Sequence, residues 1–480
     1  MRRHSEKNQF YLTIIRYRSI IVSTKASISK LNRKVRSDHD LCRRGKVKKT
    51  GGNGFPKGIT KICDNVYFAL GYGGSTCTLV IGENSCILVD TLNGTAPAEE
   101  VKEAFKKLTD KPIKTIIYTH YFHFDHTSGA SVFAEPGTRI IGRKPTYPQY
   151  GRTGMIRDIC GVRGARQFGV GLTPEENICV GIGPRNEING EKGNLPCSEL
   201  FEEELLELES DGIKAVLAAA PGETDDQIFV WFPQHRVLCC GDNYYESWPN
   251  LYAIRGGQYR DISGWIDSLD KMREYRAEYL LPGHTKAVIG SRQVETTLKN
   301  YRDALEYVLT ETLQGMNEGL TPDELVERVH LPEPLASLPY LQEYYGTVEW
   351  SVRSIYTGYL GWFDGNPTKL GHMATKERAE KTVSMMGGPA RVLAEGTAAL
   401  KRGEAQWSAE LCDLLLACRK ETEKASVLKA DALTELGRAQ TSANARHYYL
   451  TCARQLRGEG GSLKLNGAMM DVGKKQEDNG

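Results

Sequence analysis

Ile113-Lys-Thr-Ile-Ile-Tyr-Thr-His-Tyr-Phe-His-Phe-Asp-His126 decides how the rest of this chain is read. Its first half, Thr115-Ile-Ile-Tyr118, is β-branched and aromatic and follows the turn residues Asp110 and Pro112, so it predicts a buried strand. At the strand's end His120, His123, Asp125 and His126 fall within seven residues. Three imidazoles and a carboxylate at the mouth of a sheet can supply ligands for one or two divalent ions, Zn²⁺ above all. The competing reading is a solvated polar loop that happens to hold three of the chain's ten histidines.

Working outward, residues 59–69, 77–81 and 86–89 read as short strands separated by glycine turns, and Asp90 ends the third. Residues 97–108 have helical spacing with two early acids, Glu99 and Glu100. Beyond the central stretch come a short helix from about Gly129 and a strand at 138–141. A long irregular region then spans roughly 144–208, rich in Gly, Pro, Arg and Tyr. Strand-like runs at 228–232 and 237–240, a helix at 262–275, and Tyr279-Leu-Leu-Pro-Gly-His-Thr285 complete this half. Strands alternating with helices, with polar residues gathered at strand ends, predict a layered α/β enzyme.

With 480 residues the chain exceeds one hydrophobic core, so two or three domains are expected. Its net charge of +2 conceals an asymmetry. Residues 1–50 carry 15 Lys/Arg against Glu6, Asp38 and Asp40, whereas the remaining 430 carry 47 basic and 57 acidic residues. The acidic body argues against a nucleic-acid surface. Twelve scattered cysteines without a CxxC pair fit reduced thiols in a cytosol-like compartment. The basic, acid-poor start reads either as a disordered extension or as a mitochondrial transit peptide. Arg16 and Arg18 interrupt its apolar patch, and no transmembrane segment is expected, hence no stable membrane insertion.

An ordered set of loop residues is more specific: Asp90, the 120–126 cluster, Pro221-Gly-Glu223, Gly241-Asp242 and Pro282-Gly-His284. It resembles the metallo-β-lactamase superfamily, whose αββα sandwich gathers such loops along one sheet edge. Gly241-Asp-Asn243, Asn250-Leu-Tyr-Ala-Ile-Arg-Gly256, Arg260-Asp261, Tyr344-Tyr-Gly-Thr-Val348 and Tyr359-Leu-Gly-Trp-Phe-Asp-Gly-Asn-Pro367 are similar to its alkylsulfatase (SDS-hydrolase) branch. The resemblance covers roughly 55–458. It implies a two-zinc site in which His123, a residue just upstream of it, and Glu223 hold the first metal. Asp125, His126 and His284 would hold the second, and Asp242 would bridge. Asp125 and Arg255 would be catalytic, and Arg255 with Asn250 would bind the sulfate through planar and neutral donors. Asp90 reads as a supporting or structural acid, and the alternative for Arg255 is a surface salt bridge.

One departure matters. The superfamily pattern is His-x-His-x-Asp-His, whereas this chain has His120-x-x-His123-x-Asp125-His126, so strict register puts Tyr121 in the first ligand position. Either a local bulge lets His120 reach the metal, or Phe122 is an insertion that damages the first site. The bulge is favoured because loop backbone is compliant and His120 is otherwise unexplained.

From about Gly319 the chain turns nearly all helical. Thr321-Pro-Asp-Glu324 is a helix start with Thr as N-cap, and amphipathic segments follow at 389–402, 405–419, 424–436 and 443–455. They predict a tetratricopeptide-like array, which the family resemblance marks as a homodimerisation domain. The expected division is a basic extension (1–50), a metallo-β-lactamase-like catalytic domain (51–318), the helical domain (319–460) and a disordered tail (461–480). A further lipid-carrier-like domain is expected to be absent. The expected activity is zinc-dependent hydrolysis of an alkyl sulfate ester in the cytoplasm, or in mitochondria if the basic start is a targeting segment. Thioester or lactone hydrolysis is a second reading, and a non-catalytic dimeric scaffold with a spoiled metal site is a third.

Overall fold

Period-two alternation of apolar side chains builds two facing sheets. In a computed structural model the described residues are 55–145, 156–185 and 190–459, with the backbone of two strands beyond them. The first sheet takes β1 (Gly58–Cys63), β2 (Val66–Leu70), β3 (Cys77–Ile81), β4 (Cys86–Val89), β5 (Ile113–Ile117), β6 (Arg139–Arg143) and β7 (Glu199–Phe201) in sequential order. Pairing is antiparallel from β1 to β4 and parallel from β4 to β7. The second sheet takes β8 (Leu205–Ser210), β9 (Ile213–Ala219), β10 (Ile228–Phe232), β11 (Val237–Gly241), β12 (Tyr279–Pro282) and β13 (Val288–Ile289), also sequentially. Only β11 and β12 run parallel there.

On β4, β5 and β10, Ile87, Val89, Ile117, Ile228 and Val230 point between the sheets, while Leu88, Ile116 and Phe229 point outward. The outward face of the first sheet is covered by α1 (Thr95–Lys106) through Ala98, Val101 and Phe105. The short helices α2 (Phe124–Thr127) and α3 (Ala130–Phe133) follow, with Phe133 in the same cluster. Beyond α4 (Arg157–Gln167), the second sheet is covered by α5 (Ile262–Glu274) and by the 27-residue α6 (Ser291–Asn317). These four layers are the expected αββα sandwich.

Three local readings change. Residues 59–69 form a hairpin rather than one strand, because Asn65 takes φ 64° and turns the chain between β1 and β2. The 144–208 region contains α4 and β7, and β8 begins within it. The pair β8–β9 completes the second sheet at its edge.

The helical half continues as α7 (Pro322–Arg328), α8 (Glu333–Ala336), α9 (Val348–Leu360), α10 (Thr375–Met385), α11 (Pro389–Lys401), α12 (Ala405–Ala417), α13 (Thr422–Ala439) and α14 (Ala443–Leu456). Thr321 caps α7 in a reciprocal box with Glu324 and Pro322 follows it, as the sequence predicts. Leu325, Val352 and Ile355 on α7 and α9 join the same core as Trp265 and Leu280, so these helices belong to the sheet's outer layer. A separate helical core begins with Ala379 and Val383 and runs through α11–α14, whose successive helices pack in pairs. Within the expected tail, Ser462–Leu465 pairs antiparallel with Ala468–Asp471. The expectations for residues 1–50 lie outside the described residues, and among the described residues no helix is long and apolar enough to cross a membrane.

Candidate metal centre

Five strand-end loops meet along one edge of the sandwich. β5 runs into His120, and the following loop presents His123 before α2 supplies Asp125 and His126. The extra residue is absorbed by a bulge. The Asp226 carboxylate accepts the backbone N–H groups of Tyr121 (2.8 Å) and Phe122 (3.3 Å). Tyr121 turns back to stack on Tyr118, and Phe122 is exposed. The structure therefore brings His120, fully buried, into the cluster in place of Tyr121.

Two groups of ligand atoms result. His120 Nε2 lies 2.9 Å from His123 Nδ1 and 3.4 Å from Asp242 Oδ2, and His123 Nδ1 lies 3.7 Å from Glu223 Oε2. On the other side His284 Nε2 lies 3.3 Å from Asp242 Oδ1 and 3.6 Å from Asp125 Oδ2. His126 Nε2 is 3.5 Å from Asp242 Oδ1 and 3.8 Å from Asp125 Oδ2. Donor atoms about 2.0–2.2 Å from one tetrahedral ion lie about 3.3–3.6 Å apart, close to these separations. Asp242 turns one oxygen to each group, which is the geometry of a bridging carboxylate. Among the described residues, His126 Nε2 and Asp242 Oδ1 are buried without a hydrogen-bond partner, as expected of atoms that serve an ion. The residues present thus fit a divalent metal centre.

Partners behind the ligands fix their tautomers. His284 Nδ1 donates to the Gly74 carbonyl at 2.6 Å, and His126 Nδ1 donates to Asp90 Oδ2 at 2.9 Å. Each bond leaves Nε2 bare toward the cluster. Asp90 also accepts Thr119 N–H (2.8 Å) and Thr119 Oγ1–H (2.7 Å), so it supports a ligand rather than being one. Burial pushes His126 and His284 down, but the Asp242 carboxylate, helped by Asp90 and Asp125 at His126 and by Asp125 at His284, holds both above the ordinary imidazole range. Burial would raise Asp242, yet His284, His126 and His120 hold its carboxyl well below the usual range. His123 is driven well below the ordinary value, first by burial and then by His120, Arg255 and Arg260.

Beside the cluster lie residues whose roles the sequence does not show. Arg260, buried, pairs with Glu223 Oε1 at 2.8 Å and donates to the Asn250 carbonyl. Tyr245 Oη donates to the same Glu223 oxygen (2.9 Å) and accepts Asn250 N–H (2.7 Å). Glu223 is thereby turned so that only Oε2 faces His123. Asn250 is buried, and neither of its amide atoms is hydrogen-bonded among the described residues. Arg255 is half-buried, its guanidinium carbon 6.0 Å from the centre of the Phe168 ring. The sequence marks Arg260 only as part of the family-like Arg260-Asp261 segment, because an Arg gives no hint of the buried acid it faces across 37 residues of chain.

Comparison with known proteins agrees with this geometry. Residues 70–284 match the metallo-β-lactamase superfamily model, and residues 321–459 match that for alkyl sulfatase dimerisation. A linear primary-alkylsulfatase of a Pseudomonas strain is 36% identical over 384 residues, spanning 78% of this chain and 72% of its own length. An alkyl/aryl-sulfatase of Saccharomyces cerevisiae is 30% identical over 414 residues, 83% of this chain and 64% of that protein. The solved stereoselective inverting sec-alkylsulfatase Pisa1 from Pseudomonas superposes with a TM-score of 0.79 at 26% identity, covering 84% of this chain and 66% of that one. The chain thus spans between 61% and 72% of its curated relatives' lengths. Two-sheet architecture, a carboxylate shared between two imidazole groups, and the extended match to a primary-alkylsulfatase lead to one assignment: the chain belongs to the alkylsulfatase family of the metallo-β-lactamase superfamily.

Proposed function

We propose that this protein hydrolyses sulfate esters of primary alkyl alcohols to alcohol and sulfate, using two zinc ions. The observation that carries the reading is Asp242, whose two oxygens face two separate His/carboxylate groups in a chain related to a primary-alkylsulfatase. His120, His123 and Glu223 would hold one ion, Asp125, His126 and His284 the other, with Asp242 shared. Neutral imidazoles and hard carboxylates suit Zn²⁺. Ions bound there would supply Lewis acidity and lower the pKa of a bound water toward neutrality.

The chain's own residues do the rest. Arg255 presents a planar donor fork to the sulfate oxygens and offsets the charge that gathers on the departing sulfate. Asn250 Nδ2 adds a neutral donor from a site closed to solvent. Asp125, the most exposed acid of the cluster, orients the attacking water by accepting its proton-bearing edge. Arg260 and Tyr245 hold Glu223 Oε1, which turns Oε2 toward His123.

The catalytic unit is taken as residues 51–318 together with α7 and α9, which share its core, and the helical unit as the rest of 319–460, which forms a homodimer. Eleven described cysteines, all free thiols, favour a reducing, cytosol-like compartment. The test is metal analysis of purified protein together with sulfate release from dodecyl sulfate. Two zinc ions per chain and turnover are expected, with turnover lost on chelation and restored by zinc. Faster cleavage of a thioester than of dodecyl sulfate would overturn the substrate assignment, and a monomer by light scattering at micromolar concentration would overturn the dimer.

A further inference from the structure

The last helix of the helical half, α14, reaches back into the catalytic half. Asn444, His447, Thr451 and Gln455 lie at helical spacing along one side of α14, and each carries a buried polar atom with no hydrogen-bond partner among the described residues. Opposite them stand Gln167, at the end of α4, and Asn177. A Cβ added to Gly169 would lie 2.9 Å from His447 Cγ and 3.0 Å from Asn177 Nδ2, which locates both side chains at one spot. Burial pushes His447 down to about 4, so it is neutral, and its Nδ1–H donates to the Gln167 carbonyl at 3.2 Å. The Gln167 side chain, fully buried, turns the other way, and its Oε1 accepts the backbone N–H of Arg255 at 3.1 Å. The neighbouring Phe168 ring lies under the Arg255 guanidinium. One residue pair thus meets both the helical half and the loop that carries the sulfate contact.

We propose that Gln167 is a positioning residue for Arg255, and that His447 of the helical half holds Gln167 in place for that task. This rests on the reading of Arg255 as the sulfate contact. Residues 253–258 form a loop without regular structure, so the Arg255 N–H has no ladder to join. Losing its acceptor leaves that donor unpaired in a half-buried loop and frees the backbone that aims the guanidinium. A neutral His447 suits the role, since a donor fixed by burial does not change with physiological pH.

The variants are Gln167→Leu, His447→Leu and His447→Asn. The last keeps an N–H donor near the Nδ1 position and serves as the conservative rescue. Hydrogen exchange of the peptide covering 253–258 in the zinc-loaded full chain reads positioning directly, whatever the substrate. Exchange should quicken about tenfold in both Leu variants and stay as in the parent in His447→Asn. Unchanged exchange in Gln167→Leu would overturn the inference. Kinetics on dodecyl sulfate should give a KM raised about tenfold in the Leu variants, the size of one lost hydrogen bond, with kcat less affected. In an Arg255→Ala background the Gln167→Leu change should add nothing further to KM. Full additivity there would overturn the inference, because Gln167 would then act apart from Arg255. Should Arg255→Ala leave KM intact while exchange follows the expected pattern, the sulfate reading of Arg255 fails and the positioning of its loop stands.

Discussion

Asp90→Asn isolates the support behind one metal ligand. Asp90 accepts three hydrogen bonds, from Thr119 N–H, Thr119 Oγ1–H and His126 Nδ1–H. Asparagine keeps the shape, and the backbone φ of 59° at this position is one that Asn adopts more readily than most residues. Its single carbonyl oxygen must still face the Thr119 N–H, which puts the amide NH₂ against His126. The imidazole then accepts at Nδ1 and carries its proton on Nε2, the atom that faces Asp242 at 3.5 Å. A protonated Nε2 cannot ligate. Loss of a supporting carboxylate behind a metal-bound histidine weakens binding about 10–100-fold, about 1.4–2.7 kcal/mol. The assay is competition for zinc with a chromophoric chelator at constant pH, beside urea unfolding of the metal-free protein. Weaker binding with little change in unfolding is expected, confined to the ion held by His126 and His284. Zinc affinity within twofold of the parent would refute the tautomer argument.

Three further outcomes are expected. Gly283→Ala should abolish metal binding outright, because a Cβ there would lie 2.6 Å from Asp242 Oδ1 and 2.7 Å from His126 Cε1; metal analysis checks it. Deleting Phe122 should leave metal content intact and activity within about tenfold, about 1.4 kcal/mol in barrier, because His120 already faces the cluster; a large gain in sulfate release would show that the natural loop is impaired. His447 has a folded-state pKa of about 4 against 6.5 unfolded, so the unfolded chain takes up a proton first as pH falls. Stability is therefore lost as pH drops from about 6.5 toward 4, by about 2 kcal/mol at pH 5, and His447→Asn should flatten that slope in denaturant titrations at pH 7 and 5.

The candidate metal ligands were legible because their type is restrictive: His120, His123, Asp125, His126, Glu223, Asp242 and His284 converge at one edge of the sandwich. The bulge at 121–122 was legible only as an alternative, since what settles it is Asp226, an acid 104 and 105 residues away that accepts two backbone N–H groups. Arg260 and Tyr245 escaped for the same reason: their roles are defined by a partner, not by spacing. Among the elements, β9 was missed because Ile213–Ala219 contains three alanines, which favour helix over strand, and its strand character comes from pairing with β8 and β10. The helices at 389–456 were read nearly to the residue, since their apolar stripes are packed locally against the next helix in sequence. By contrast α6 went unread although Val294, Leu298, Tyr301, Leu305 and Val308 mark one face, with no side-chain cap at Gly290 to announce its start.

The loop that holds Asn250 leans on residues about a hundred positions later. Trp248 donates its backbone N–H to Gln342 (2.8 Å) and its indole N–H to Ser351 (3.0 Å), and a Cβ at Gly346 would overlap the Pro249 carbonyl. During synthesis on the ribosome, the metal ligands up to His284 emerge well before these supports. The edge that holds the candidate metal ligands and the loop that holds Asn250 are therefore finished at different times, the second only after α9 has left the exit tunnel. A nascent chain stalled between the two stages would carry every metal ligand while Trp248 still lacked the partners that seat Asn250.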